Sequence, residues 1–327
     1  MIVTSIIIPT YRRPDTLVPA VCSCLAQEGA GSYEIIVVDN NPDGSARAVV
    51  AGLVADGQAP VRYVAEPRPG ISHARNTGVA AARGRYLAFL DDDQRADLGW
   101  LSGHLATLRR FTAAVSFGPI CPEFPDGADV PGVARWRYIR DEKMPSGSAM
   151  PNRSPLLGSP GISNTVIDRE NCVLGAQPFD PAYGCTGGED TLLFRQLLQR
   201  GCKMVWCCEA GVHETIPASR LTDRYLLRRA FNGGQVSAST WGALHPPARG
   251  KRITVMLAGA AQAALFVAPT LVCGLVKHQR WLSCAVQLAA GLGKVFCHPK
   301  TLMPLYREDR QDTTLTVSVD SRHIPAE

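Results

Sequence analysis

Although the chain holds eleven cysteines, it has no CxxC pair and no Cys/His spacing of the kind that holds zinc. Cys22 and Cys24 are one residue apart, Cys207 and Cys208 are adjacent, and the rest are scattered. Neither a structural metal cluster nor a disulfide framework is expected. No secretory n-region or cleavage site opens the sequence, which enters directly into Ser5-Ile6-Ile7-Ile8, so the expectation is reduced thiols in a cytosolic setting. Charge is sparse as well. Charged residues make up 19% of the chain and the formal net charge is +5, which is no nucleic-acid signature but suits anionic partners such as nucleotide phosphates or a lipid surface. There is no internal repeat, and a hydrophobic share of 46% argues against disorder outside the tail.

Strand and helix signals alternate through the first half. Residues 3–8 read as a strand ended by Pro9, 14–27 as a helix spaced on Leu17, Val21 and Leu25, and 34–38 as a second buried strand. A helix over 45–54, a strand over 61–65, a helix over 71–82 and a strand from Tyr86 follow. This alternation predicts a mostly parallel sheet with crossover helices. Residues 117–155 are rich in Pro and Gly without a clear period, and read as an acceptor-side insertion or cover. Regular structure resumes near 164–167, a helix covers 191–200, and 203–207 reads as the last strand.

Asp91, Asp92 and Asp93 end the apolar run Tyr86-Leu87-Ala88-Phe89-Leu90. Three adjacent carboxylates repel one another unless a cation or polar partners offset them. The end of a buried strand is where open α/β sheets bind ligands, which points to a hard divalent cation, against a solvated acidic turn. Gly187-Gly188-Glu189-Asp190 precedes a helix, where Asp190 can serve as N-cap, as a catalytic carboxylate, or as both.

In order, the chain shows Ser5 to Arg13 (SIIIPTYRR), Ile36-Val37-Val38-Asp39-Asn40, Ala74-Arg75-Asn76-Thr77-Gly78, Gly84 to Asp93 (GRYLAFLDDD) and Gly188-Glu189-Asp190. This series resembles the family 2 glycosyltransferases, and within them the bacterial exopolysaccharide enzymes of the succinoglycan type. Gly187 to Thr191 and Arg228 to Gln235 (RRAFNGGQ) ahead of a hydrophobic tail carry the narrower likeness. The resemblance implies an α/β GT-A fold, a Rossmann-like mostly parallel sheet flanked by helices, over residues 1–215. Beyond it the expectation is a basic helical linker over 216–250, an apolar helical membrane-associated region over 251–298 and a polar tail over 299–327.

The implied activity is inverting transfer of a sugar from a UDP-sugar, such as UDP-glucose, to a lipid-linked saccharide, with Mn²⁺ or Mg²⁺ as cofactor. The implied setting is the cytoplasmic face of the inner membrane, with a polysaccharide assembly complex as a partner. By the same resemblance Pro9, Thr10 and Tyr11 line the nucleotide pocket, Asp39 accepts from the base or ribose, and Arg75 reaches the nucleotide. Asp93 and Asp91 hold the metal, with Asp91 nearer the ribose and Asp92 in the variable middle position. Asp190 is the general base, Glu189 its partner, and His213 a third metal ligand or a structural histidine.

Two other enzymatic or binding classes compete. A sugar nucleotidyltransferase would show a glycine-rich loop after the first strand, where Pro9-Thr10-Tyr11-Arg12-Arg13 stands instead. A non-catalytic sugar-nucleotide-binding protein has no need of Asp190. Arg220, Arg224 and Arg228 recur every four residues and predict one helix face beside Arg229, either solvated or facing lipid headgroups or a pyrophosphate. Trp136 and Tyr138 can stack on a sugar or pack in the core. Residues 253–276 are apolar apart from Gln262 and Pro269, with Arg249, Lys251 and Arg252 before and Lys277, His278 and Arg280 after. Basic flanks at both ends favour an interfacial or re-entrant pair with 281–296, over a soluble hairpin or a single crossing.

Overall fold

The computed structural model describes residues 2–53, 59–150 and 161–305. The last residue of the expected 45–54 helix, the end of the 117–155 insertion and most of the 299–327 tail lie outside the described residues. Strands β1 (Thr4–Thr10), β2 (Tyr33–Asp39), β3 (Val61–Ala65) and β4 (Tyr86–Phe89) alternate with helices α1 (Pro14–Leu25), α2 (Arg47–Leu53) and α3 (Ile71–Ala81). After β4 come β5 (Gln94–Ala96), α4 (Trp100–Phe111), β6 (Val115–Phe117), β7 (Ile120–Glu123), α5 (Gly132–Tyr138) and β8 (Thr165–Asp168). Then follow α6 (Glu189–Gln199), β9 (Met204–Trp206), β10 (Val212–Thr215), α7 (Asp223–Gly242), α8 (Arg249–Leu275) and α9 (Trp281–Val295).

The main sheet has seven strands in the order β3-β2-β1-β4-β8-β6-β9. All pairs are parallel except those of β8, which runs antiparallel to both β4 and β6. Both faces are covered, which is why β1 and β2 read as unbroken apolar runs. Ile6, Ile8 and Val37 pack with Leu17, Val21 and Trp100 on one side, while Ile7, Ile36 and Val38 pack with Ala74, Leu193 and Phe194 on the other. The aperiodic insertion is in fact built: β7 joins β5 and β10 in a three-stranded sheet, and α5 follows it. The strand at 203–207 is not the last, because β10 comes after it. These elements are only three or four residues long, too short for a periodic signal.

One buried amide ties the entry to β8 to α4 and to the turns before β7 and β10. Asn164, in a left-handed conformation at φ 50°, donates through Nδ2 to Pro119 O (2.7 Å) and Ala210 O (2.9 Å). Its Oδ1 accepts from Trp100 Nε1 (2.7 Å) and from His104 Nε2 (2.9 Å), while His104 Nδ1 accepts from the Ser116 hydroxyl (2.8 Å). Every polar group in the set is satisfied, as burial requires.

The C-terminal helices invert the usual polarity. α8 is long and apolar enough to cross a bilayer, yet only 17% of its most apolar window is buried. Leu257, Leu265, Leu271 and Leu275 are exposed, whereas Gln262 donates to Gln287 Oε1 (2.8 Å) and accepts from Lys294 Nζ (2.7 Å) between α8 and α9. The helices meet through small residues. A Cβ on Gly293 would lie 2.0 Å from Phe231 O, and one on Gly234 would lie 2.2 Å from Ala290 O, so α7 and α9 touch backbone to backbone. Helix α7 is therefore no loose linker but packs against α6, α8 and α9.

Burial lowers the His104 pKa to about 4 from 6.5. The unfolded chain then binds more protons between those two pH values, so His104 contributes stability that is present above pH 6.5 and lost as pH falls toward 4. Urea midpoints should drop across that interval, by up to about 3 kcal/mol of unfolding free energy, and the slope should flatten in His104→Gln.

Candidate active site

The strand order turns back at β1, with β2 on one side and β4 on the other, and such a switch opens a crevice at the strand ends. Leu90 N–H makes the last bond of the β1–β4 ladder, to Ile7 O (3.2 Å). Pro9 shares the parity of Ile7, so its missing N–H faces the β4 side beyond that bond and removes nothing from it. The chain after β1 then closes on the triplet. Thr10 Oγ1 donates to Asp92 Oδ2 (2.8 Å), and Arg13 Nη1 reaches Asp92 Oδ1 (3.3 Å) and Asp93 Oδ2 (3.2 Å). Tyr11 is exposed, with the Arg12 guanidinium 5.2 Å from its ring centre.

From the far side, α3 is stitched to the segment that leads into α6. Ile71 N–H bonds Gly184 O (3.0 Å), Ser72 Oγ donates to Asp180 O (2.9 Å), and Asn76 exchanges two bonds with the Phe179 backbone at 2.7 and 3.0 Å. Gly187 and Gly188 follow at φ 74° and 103°, and a Cβ on Gly188 would sit 2.7 Å from Val236 Cγ1. Only glycine fits that turn. Gly188, not Asp190, is the N-cap of α6, and the helix begins at Glu189. Asp190 lies in the first turn. It accepts from Thr191 N–H (2.6 Å) through Oδ1 and from Ile162 N–H (3.3 Å) through Oδ2.

Arg75 joins the two motifs. Its Nη1 bonds Glu189 Oε1 and its Nη2 reaches Asp91 Oδ1 (3.3 Å), while the guanidinium lies 5.9 Å from the Phe179 ring centre. The triplet and the Gly-Gly-Glu-Asp turn, far apart in the chain, are thus held by one buried side chain.

A third cation, after Arg13 and Arg75, faces the triplet. Arg220 Nη1 lies 3.2 Å from Asp93 Oδ2 and 3.5 Å from Glu214 Oε1. The expectation of one face shared by Arg220, Arg224 and Arg228 is corrected here. Arg220 belongs to a 3-10 turn, Ala218–Leu221, and α7 starts only after the cap at Thr222, whose Oγ1 accepts from Tyr225 N–H. Tyr138 OH donates to Arg220 O (3.0 Å), so Tyr138 packs and positions, whereas Trp136 is 74% exposed.

One expected metal ligand, His213, is not brought to this place. His213 and Glu214 alternate along β10 and point to opposite faces. Glu214 faces Arg220 near Asp93, while His213 sits between Asp97 Oδ1 (3.3 Å) and Glu123 Oε1 (3.4 Å). Asp39 is fully buried, and its carboxylate accepts from Asn41 N–H (3.0 Å), Ala46 N–H (2.7 Å) and Tyr63 OH (3.3 Å), which shapes the loop after β2. Glu214 was open to discovery through strand alternation. Arg13 stands inside the first motif, whereas Arg220 stands out in the sequence only as part of a helix face, and its place against Asp93 follows from the 3-10 turn that carries it.

Burial raises the Asp93 pKa against the pull of Arg220, with Asp91 raising it further. Asp92 is pushed to about 6 by burial, and Glu214 to about 7 by burial and by Asp93. Glu189 rises to about 7 through burial and Asp190, which Arg75 opposes. The guanidinium groups leave the carboxylates undercompensated, and the donors are all hard oxygens, which fits Mg²⁺ or Mn²⁺. Among the described residues no three His, Cys, Asp or Glu side chains are disposed to hold an ion by themselves. Such an ion would draw further ligands from phosphate and water, as Mg²⁺ commonly does.

Residues 5–154 match the profile described as Glycosyl transferase family 2. The succinoglycan biosynthesis protein ExoM of Rhizobium meliloti is 33% identical over 229 residues, which cover 69% of this chain and 71% of that one. The chain belongs to glycosyl transferase family 2. Glycosyltransferase AglE of Haloferax volcanii is 24% identical over 241 residues, covering 72% of this chain and 73% of its own. Among solved structures, mannosyltransferase PcManGT from Pyrobaculum calidifontis, in complex with GDP-Man and Mn²⁺, superposes with a TM-score of 0.55 at 17% identity. That match covers 90% of this chain and 86% of the mannosyltransferase, and the shared fold is GT-A. Membership in the family sets aside the nucleotidyltransferase alternative.

Arg75→Met would strand two carboxylates in this glycosyltransferase, one of them buried. Its unfolding free energy should fall by about 3–5 kcal/mol in a urea titration. Adding Glu189→Gln should recover part of that loss.

Proposed function

We propose that this glycosyltransferase is inverting and divalent-metal-dependent, and moves a sugar from a UDP-sugar, UDP-glucose or a close analogue, to a hydroxyl of a lipid-linked saccharide. The observation that carries the reading is the Arg75 bridge, which gathers the acidic strand end and the Gly-Gly-Glu-Asp turn into one crevice. Pro9, Thr10 and Tyr11 line the nucleotide side of that crevice. Asp39 acts through the loop that it orders, and Asp92 fixes Thr10 and Arg13 in place. Asp91 and Asp93 would hold Mn²⁺ or Mg²⁺, with Glu214 beside Asp93 in the position first expected of His213. A bound ion supplies charge to neutralise the diphosphate as it leaves.

The acceptor hydroxyl is a poor nucleophile at neutral pH, so a placed carboxylate must take its proton during attack. Asp190 is that base. Its two backbone N–H partners fix its orientation, and Glu189, clamped by Arg75, fixes the start of the helix that bears it. Attack from the face opposite the diphosphate inverts the anomeric carbon.

The likeness to a succinoglycan biosynthesis protein supports a role in exopolysaccharide or other cell-surface polysaccharide synthesis, within an assembly complex. The outward apolar face of α8 and the basic residues at both ends of that helix support attachment to the cytoplasmic face of the inner membrane, lying on the anionic leaflet. That position brings the crevice to a lipid-borne acceptor.

A panel of UDP-, GDP- and dTDP-sugars with a lipid-linked acceptor tests the reaction. Asp190→Asn should lower transfer by about 10³-fold or more with donor binding nearly intact, and Asp93→Ala should weaken metal-dependent nucleotide binding. Unchanged transfer in Asp190→Asn would remove the base. In flotation with anionic vesicles the wild type should rise with the lipid, and Leu257→Glu combined with Leu271→Glu should leave it in the soluble fraction.

A further inference from the structure

Asn232 and Gln235 lie three residues apart on α7 inside the Arg228 to Gln235 motif, and are only 2% and 1% exposed. Nothing in the reaction above uses them. Asn232 Nδ2 donates to Thr186 O (2.9 Å) and to Met303 O (3.0 Å). Gln235 Nε2 donates to Phe296 O (2.8 Å) and Thr301 O (3.0 Å), and its Oε1 accepts Met303 N–H (2.8 Å). One turn earlier, Arg228 donates to Pro304 O, and Leu305 N–H bonds Cys185 O (2.9 Å). The Leu305 side chain would lie 3.5 Å from a Cβ on Gly187.

These bonds have one geometric meaning. Residues 296–305 form the stretch that leaves α9, and it runs back along α7 without a ladder of its own apart from a short 3-10 turn, Pro299–Thr301. Cys185 and Thr186 immediately precede the two left-handed glycines that set Glu189 and Asp190. Buried amides that span two loops fix the distance between them, and leaving their bonds unmade is costly.

We propose that Asn232 and Gln235 are positioning residues that clamp the segment leaving the apolar hairpin onto the Cys185 to Gly188 turn, and thereby hold Asp190 in line with the acceptor hydroxyl. The proposal rests on Asp190 being the base. Because the hairpin ends where the clamp begins, seating of α8 and α9 and alignment of the base become one event. Releasing the clamp should leave donor binding alone, since the nucleotide side is built from β1, β4 and the triplet.

The test uses full-length Asn232→Asp and Gln235→Glu, which keep shape but remove the donors, and Leu305→Pro, which deletes the N–H that bonds Cys185 O together with the leucine side chain beside Gly187, with Leu305→Ala as the control for the side chain alone. Each is assayed with whichever sugar nucleotide of the panel the wild type turns over, and by amide hydrogen exchange. Expected are a kcat lower by about tenfold or more, a donor KM within about twofold of wild type, and faster exchange confined to residues 185–190 and 303–305. An unchanged kcat, a donor KM that climbs as kcat falls, or exchange that quickens equally in β1 and β4 overturns the proposal. If the wild type turns over no donor of the panel, the proposed donor and acceptor have failed. The clamp is then judged on exchange alone: unchanged rates at 185–190 overturn it, and locally faster rates support it.

Discussion

One buried guanidinium decides what this molecule can be. Arg75 sits on α3 between a part-exposed carboxylate from the end of β4 and a buried one from the first turn of α6, where the buried acid alone would be held at high cost. The stitching of α3 to the segment at 179–184 exists to deliver that side chain, and the paired glycines exist to bring Glu189 to it. Without the cation, the acidic strand end and the Gly-Gly-Glu-Asp turn lose the side chain that bridges them. The elevated pKa of Glu189 reflects how near the balance lies, because burial and Asp190 outweigh the favourable pull of Arg75, a backbone hydrogen bond and Arg229.

The sequence was legible where structure is long and periodic, and where chemistry is concentrated in a run. The alternation from Thr4 to Phe89, the acidic triplet and the Gly-Gly-Glu-Asp turn were all read without coordinates, because each is local. The failures share a cause. β5, β7 and β10 are three or four residues long and find partners across large chain separations, so the small sheet that carries Glu214 was invisible. His213 stood out because histidine is conspicuous, yet a strand shows alternate residues to opposite sides, and its neighbour faces Asp93. The four-residue rhythm of Arg220, Arg224 and Arg228 was accidental, since the helix begins after Arg220. Asp39 pairs in register with Thr10 at the strand ends, where its carboxylate accepts from the backbone N–H groups of Asn41 and Ala46.

The C-terminal helices show the same logic with polarity exchanged. In a water-soluble hairpin the glutamines and the lysine would face outward, but here Gln262, Gln287 and Lys294 meet one another while leucines look out. Small residues let α7, α8 and α9 approach until backbones touch, so contact between them relies on close packing more than on exclusion of water. Helix α7 belongs to both worlds. Its Val236 packs on the Gly188 turn, and its Gly234 meets α9.

The antiparallel strand β8 has an evolutionary consequence. It separates a parallel block of four strands from the shorter strands that follow, and interrupts the repeated strand–helix–strand winding at that seam. A chain divided this way is modular. Mutations downstream of the seam can accumulate where they spare the β4–β8 ladder, the α3 bonds to 179–184, the Arg75 bridge and the Arg220–Asp93 pair, which bind the upstream block to it. Divergent family members can therefore keep the upstream half in common while the downstream half varies.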